Sequence, residues 1–409
     1  MNDSTPLSPP ILGQPAPTQP TPASRARVLW VSCVAHALHD GYTDMIYVLL
    51  PIWQTDFGLS YGALAMLRGV YAGTMASLQL PAGRLARQMG SRATLALGTL
   101  LAAVGYAVAG GSGSLLGLCV ALAISGAGSS TQHPLASGAV SRVYGRDARG
   151  PLSIYNFSGD LGKAALPAAV ALLVTLMPWR HALWLVSALG CIAATTIALF
   201  LPAIPRAAPV TEEASSGGNS GAGSGFKLLF AIGVLDTAVR MGLLTFLPFL
   251  LKAKGASTPL VGTALALVFI GGAAGKFVCG WLGARVGVIG TVLATEGGTA
   301  ALIVAAMFAP IAMTLVLLPV LGVMLNGTSS VLYGTVPELS PPDATERAFA
   351  LFYTGTIGAG AIAPVIYGFL GDSIGVQGAT LATALTALTI FPLVIALRPR
   401  LRKRLGIPS

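Results

Sequence analysis

Apolar residues run along this chain in blocks of about twenty, the length that crosses the hydrocarbon core of a bilayer as an α-helix. Each block is closed by glycine, proline or charge. Twelve blocks are predicted as spans, at roughly 28–50, 61–82, 93–110, 115–138, 151–176, 181–202, 228–251, 259–283, 287–308, 312–336, 348–370 and 378–397. A Ser/Gly-rich stretch carrying Glu212 and Glu213 interrupts them once and reads as a flexible linker. The predicted fold is therefore an all-α integral membrane protein of two six-helix halves. Its predicted parts are a disordered cytoplasmic tail (1–24), a first half (25–202), a linker (203–226), a second half (227–398) and a basic tail (399–409).

The pattern is broken most sharply in the first span, which carries His36, His39, Asp40 and Asp44. His36, Asp40 and Asp44 are spaced i, i+4, i+8, so they follow one stripe that drifts by about 40° per step. His39 sits beside it. Ionisable groups in mid-bilayer cost several kcal/mol and usually face a protein interior or a wet cavity on a substrate or proton pathway.

Composition agrees with a membrane protein: 9% of the 409 residues are charged and 54% are apolar. Cys33, Cys119, Cys191 and Cys279 lie in apolar segments at scattered spacing, as apolar filler rather than a metal or disulfide framework. Residues 1–24 have neither the apolar nor the basic region of a signal peptide. Most loop Lys and Arg, from Arg25 and Arg27 through Arg84, Arg92 and Arg142 to the tail after Arg398, fall on the side of the amino terminus, against Arg180, Lys252 and Lys254 opposite. Both termini are therefore expected in the cytoplasm of a multi-pass inner-membrane protein. The net charge of +10 is this bias, with the basic tail near anionic lipid, and no nucleic-acid partner is implied.

A gapless shift of 197 residues lays Pro51 on Pro248, Gly58 on Gly255, Ser60 on Ser257, Gly83 on Gly280, Gly90 on Gly287 and Pro167 on Pro364. A same-direction duplication of six spans is a parallel transporter repeat, whose halves rock about a midplane site. The segment Gly83-Arg-Leu-Ala-Arg-Gln-Met-Gly90-Ser-Arg92 resembles the major facilitator loop pattern GxLaDrxGrr, with Arg87 at the usual acidic position. Gly83, Arg84, Gly90 and Arg92 are thereby implied to form an interdomain loop. Gly128-Ser-Ser-Thr-Gln-His-Pro-Leu-Ala-Ser137 and Ser153-Ile-Tyr-Asn-Phe-Ser-Gly-Asp-Leu-Gly162, with His39-Asp40, resemble the fosmidomycin-resistance branch of drug-efflux facilitators. That resemblance departs from the family pattern at Leu135 and Lys163. It implies an efflux antiporter acting in antibiotic resistance.

Other polar residues inside spans complete the candidate set. Asp40, Asp44, His133 and Asp160 are read as proton-coupling groups. His36, His39, Arg68, Tyr155, Asn156, Lys163, Asp236 and Arg240 are read as substrate-binding groups. His133 precedes Pro134, which is expected to kink span four and hold the imidazole at the cavity wall. Asp160 and Lys163, at i, i+3, can pair with each other, or Lys163 can meet the acids of span one. Asp236 takes the His39 position under the shift, and Arg240 the Thr43 position. Glu296, in span nine, is expected at the periphery, and Lys276 is left without a role. Tryptophans near span ends are expected to form an interfacial belt.

The chain has no GxxxxGK[ST] phosphate loop and no HExxH or GxSxG constellation, so neither ATP drive nor enzymatic activity is implied, and no cofactor or metal. The expected function is a secondary active exporter of small toxic or antibiotic-like, anionic molecules. It would work as a monomer by proton antiport and alternating access. The alternatives are a proton-coupled importer of an organic anion and, remotely, a non-transporting receptor.

Overall fold

The computed structural model describes residues 21–202, 223–340 and 345–404. Most of the predicted linker, the first 20 residues and the end of the basic tail lie outside the described residues. The helices are α1 (Pro22–Phe57), α2 (Tyr61–Met89), α3 (Ser91–Gly111), α4 (Leu115–Ser129), α5 (Gln132–Tyr144), α6 (Arg149–Leu176), α7 (Trp179–Phe200), α8 (Ser224–Ala253), α9 (Thr258–Phe308), α10 (Ile311–Leu339) and α11 (Thr345–Arg404).

The long helices α9 and α11 each hold two spans, joined at Gly287 (φ 75°) and Gly375 (φ 76°). α4 and α5 together make one span, so the described residues contain the twelve crossings predicted. Eight helical stretches are long and apolar enough to span on composition alone. α1 and α2 fall outside that set because of the polar residues they carry.

Three details differ from the sequence reading. α1 starts at Pro22, inside the predicted tail, where the Thr21 hydroxyl accepts from Ser24 N at 3.3 Å and proline occupies the first turn. The break in span four falls one turn before Pro134, at Ser130 and Thr131, which keep helical dihedrals: the proline has no N–H to give to the Ser130 carbonyl four residues back. Trp53 and Trp179 are buried against each other, ring centroids 6.1 Å apart, whereas Trp30, Trp184 and Trp281 are exposed as an interfacial belt requires.

The 197-residue register survives in the backbone. Gly58 and Gly255 both adopt positive φ after the first helix of their half, and Gly90 and Gly287 do so at the next loop. Ser60 and Ser257 are the N-caps of α2 and α9. Pro51 and Pro248, like Pro167 and Pro364, lie within helices.

At one end the halves share a hydrophobic core running from Tyr47, Leu50 and Tyr71 to Phe246, Leu265 and Tyr367. At the other end each half keeps its own: Val28, Leu95, Val140 and Tyr155 in the first, Leu229, Val292, Phe352 and Val394 in the second. The shared end is the one that the arginine count places outside. There the Asp372 carboxylate of α11 accepts from Tyr61 N (2.6 Å) and Gly62 N (3.0 Å), satisfying free donors at the N-terminus of α2 across the boundary between halves. Tyr61 also packs on Phe249, with centroids 5.1 Å apart.

Within the first half α1 and α6 approach closely. A Cβ at Gly162 would collide with the Ala37 backbone, and one at Gly41 with Leu166. Small residues at such crossings let helix backbones meet where no hydrophobic drive distinguishes protein from lipid. Gly162→Val should lower stability by about 1–3 kcal/mol through overpacking, read as an earlier thermal unfolding midpoint in detergent.

Asp56, at the C-terminal end of α1, accepts from Trp179 Nε1 (3.0 Å) and Arg180 Nη1 (3.1 Å), tying the α1 and α7 ends together. The indole hydrogen bond first, then Arg180, holds its carboxyl below the usual carboxylate range. A depressed carboxyl stabilises the fold above its unfolded pKa, and the gain is lost as pH falls through the folded value. The tie should therefore weaken only below about pH 4. Asp56→Asn should cost under about 1 kcal/mol at neutral pH, as for an exposed pair, and the difference in unfolding midpoint from wild type should vanish in acid.

Candidate transport site

The polar stripe of α1 faces α5 and α6, and its centre is Asp40. This carboxylate is buried, with side-chain exposure of 8%, and three cationic or basic groups surround it. Lys163 Nζ of α6 lies 3.3 Å from Oδ2, His36 Nε2 3.4 Å from the same oxygen, and His133 Nε2 of α5 3.7 Å from Oδ1. Lys163 and His133 are more open than the acid, with side-chain exposures of 33% and 37%.

Local geometry fixes the histidine. His36 Nδ1 donates to the Tyr155 carbonyl at 2.8 Å, and its ring stacks on that of Tyr155 at 4.0 Å. With the Nδ1 proton committed, Nε2 can attract the Asp40 carboxyl only if one proton lies between them. His133 meets His36 edge-on at 5.3 Å. The arrangement depends on Gly159 of α6, since a Cβ there would clash with both Asp40 Oδ2 and the His36 ring.

His36, Asp40 and His133 bring three potential metal ligands within 4.8 Å of one another. The Lys163 ammonium, 3.3 Å from the shared carboxylate, already supplies the positive charge that a metal ion would bring.

The remaining candidates separate into distinct places. His39 is buried and turned towards α3 and α4: Nε2 contacts Thr99 Oγ1 at 3.0 Å and Nδ1 contacts Ser129 Oγ at 3.1 Å. The Thr99 hydroxyl proton goes to the Leu95 carbonyl, so Nε2 carries the ring hydrogen and the ring is satisfied as a neutral imidazole. Ser129 also accepts from Tyr71, which contacts Thr43. Arg68 is buried but makes no ion pair with the span-one acids among the described residues. Its guanidinium carbon lies 5.3 Å from the Tyr47 ring centroid and 5.8 Å from that of Tyr71, and Nε and Nη1 have no partner. Asp44 is buried near Arg68 and Lys163.

Asp160 and Lys163 do not pair with each other. Lys163 turns to Asp40, and Asp160 Oδ2 accepts from Lys276 Nζ of α9 at 2.5 Å, a polar link between the halves. Asn156 is exposed, whereas Tyr155 is buried. In the second half Asp236 Oδ2 accepts from Ser329 at 2.9 Å and lies 3.6 Å from Arg240 Nη2. Glu296 corrects the peripheral placement expected from sequence. It is 2% exposed and a neighbour of Asp236, because its segment of α9 packs inward against α8 and α10. Arg84 and Arg92 are exposed beside the α2–α3 turn at Gly90, as is Arg87 at the position of the family acid.

Residues that the sequence reading left without a role are Gly159, Thr99, Ser129 and Tyr71. Gly159 lies within the span-five segment singled out for its resemblance. Thr99 falls on Glu296 in the repeat register, a signal available from the sequence alone.

The profile described as Major Facilitator Superfamily matches residues 32–231 and again 229–408. The chain belongs to the major facilitator superfamily. Its members are transporters. Several solved superfamily structures share the fold. A bacterial homolog of the human lysosomal transporter Spinster, in an inward-facing, occupied conformation, has TM-score 0.79 at 16% identity, covering 94% of this chain and 99% of that one. The nucleoside transporter NupG gives 0.75 at 13% identity, with 91% and 99% covered. A peptide transporter, POT, solved with sulfate, gives 0.73 at 15% identity, with 92% and 95% covered. No curated protein sequence matches the chain.

Removing one partner from a buried pair leaves an uncompensated charge, at a cost of up to about 3–5 kcal/mol, less where one partner is partly exposed. Lys163→Met should therefore destabilise this facilitator clearly, and Asp40→Asn in the same chain should restore most of the loss. A double-mutant cycle on unfolding midpoints measures the coupling; simple additivity would mean that the two charges do not interact.

Proposed function

We propose that this facilitator is a proton-coupled secondary active transporter of small, antibiotic-like molecules, in which Asp40 takes the proton and Lys163 and His133 meet the substrate. The observation that carries this reading is the position of the Asp40 carboxylate, beneath two more exposed basic groups and 3.3 Å from Lys163. A proton on Asp40 releases Lys163. Conversely, any group that draws Lys163 away changes the proton affinity of Asp40. Two ligands that act on one pair in this way are thermodynamically linked.

The sign of the linkage depends on the charge of the substrate. A molecule whose cationic group displaces Lys163 competes with the proton for Asp40. Proton and substrate then bind in alternation, which is antiport and gives export on an inward proton gradient. The resemblance to drug-efflux facilitators supports this reading. An anionic molecule seated on Lys163 is instead favoured by a protonated Asp40, so proton and anion bind together. That is symport, and it gives import of an organic anion. The 3.3 Å pair favours this second reading for any anionic substrate. Export and an anionic substrate, expected together from sequence, are thus distinguished by the charge of whatever competes at Lys163.

The test is substrate-induced proton movement in proteoliposomes for wild type and Asp40→Asn, across phosphonates, organic acids and lipophilic cations. Proton flux opposite to the substrate, lost in Asp40→Asn, supports antiport. Flux in the same direction, lost in the same variant, supports symport. Transport that continues unchanged in Asp40→Asn would remove Asp40 from the mechanism.

A further inference from the structure

The repeat brings together two contacts that occupy the same place in the two halves. In the first half His39 Nε2 donates to Thr99 Oγ1 at 3.0 Å. Moving both residues by 197 positions gives Asp236 and Glu296. These two carboxyls are also neighbours, one on α8 and the other on the second segment of α9. The neutral pair of the first half is replaced by two acids, and both are deeply buried, 4% and 2% exposed.

The surroundings from each packed element are defined. On α8, Arg240 Nη2 lies 3.6 Å from Asp236 Oδ2 and is the one cation within ion-pairing distance among the described residues. On α10, Ser329 donates to Asp236 Oδ2 at 2.9 Å and Thr328 contacts Glu296. Tyr333, also on α10, is the further titratable group near Asp236 and Arg240, with its hydroxyl 3.0 Å from Thr356 Oγ1 of α11. On α9, Thr299 lies one turn beyond Glu296; it is 1% exposed, and its Oγ1 has no partner. A residue three positions on shares the face of its neighbour, so this unspent hydroxyl lies on the side of α9 that carries Glu296.

An ionised carboxylate only accepts hydrogen bonds, so two carboxyls can bond to each other only when one of them carries a proton. Charge balance gives the same count. Two ionised acids against one guanidinium would leave a buried negative charge without compensation, and one bound proton removes it. We propose that Asp236 and Glu296 form a proton-binding site of the second half, separate from Asp40, in which the two carboxyls hold one proton between them while Arg240 balances the remaining charge. The site stands on its own geometry; its use in transport rests on the proton coupling proposed above. If both operate, each half of the carrier contains one protonatable centre. The Arg240 side chain, 18% exposed, is then the contact of the second centre with the central space.

Infrared spectroscopy of the full-length protein in lipid membranes at neutral pH tests the proposal without a substrate. A protonated carboxyl gives a carbonyl stretch distinct from that of a carboxylate, and the band shifts when water is exchanged for D2O. Wild type should show such a band. Glu296→Gln and Asp236→Asn should each remove it, while Asp40→Asn should leave this component in place. Glu296→Gln keeps the side-chain shape and an N–H donor towards Asp236, so it should fold even if Asp236→Asn does not, and it decides the question alone. A band that survives Glu296→Gln, or no protonated-carboxyl band in wild type, would overturn the proposal whatever Asp40 does. If instead the band behaves as expected while Asp40→Asn leaves proton flux unchanged, the coupling role of Asp40 fails and the second-half site stands.

Discussion

The constraint on which the first half depends is the burial of the Asp40 carboxylate inside a membrane. A lone charge at that depth is expensive, and it is tolerable only because α6 approaches α1 closely enough to deliver Lys163 and the Tyr155 carbonyl. The approach is a matter of side-chain volume. Gly41 and Gly162 let the backbones meet, and Gly159 leaves the space into which His36 and Asp40 project. Chemistry and packing are therefore one problem at this crossing. A methyl group at Gly159 would disturb the electrostatics without touching a charge.

The duplication shows how one scaffold can be given different chemistry. In both halves the first helix carries a polar group that reaches the third span of its repeat: His39 to Thr99 in one, Asp236 to Glu296 in the other. The first version is neutral and saturated with hydroxyl partners. The second is acidic and charge-coupled to Arg240. The backbone punctuation, positive-φ glycines and serine caps included, is retained while the interior residues have diverged.

Much of this was legible in the sequence because it rests on one-dimensional signals. Span count, the repeat register and the clustering of ionisable residues in span one need only hydropathy and spacing. Partner choice was not legible, because it depends on helix rotation and on which spans are neighbours. Asp160 and Lys163 sit three residues apart yet turn to different helices, one to Lys276 of the other half and one to Asp40. His39, adjacent to Asp40 in sequence, turns away from the ion cluster towards α3 and α4. Glu296 was misplaced because an average position for span nine says nothing about which face of that span a single residue occupies.

The division of the apolar interior into one shared core and two separate ones has a mechanical meaning. The shared end forms a single apolar block, tied by Asp372 to α2, whereas at the other end each half keeps a cluster of its own, the division along which separate cooperative units form. The Asp160–Lys276 bond lies near the boundary between these regimes, where a small rotation of one half becomes a large displacement at its far end. The molecule has the build of a pair of levers on a common fulcrum, with the buried ion pairs of its interior close to the pivot.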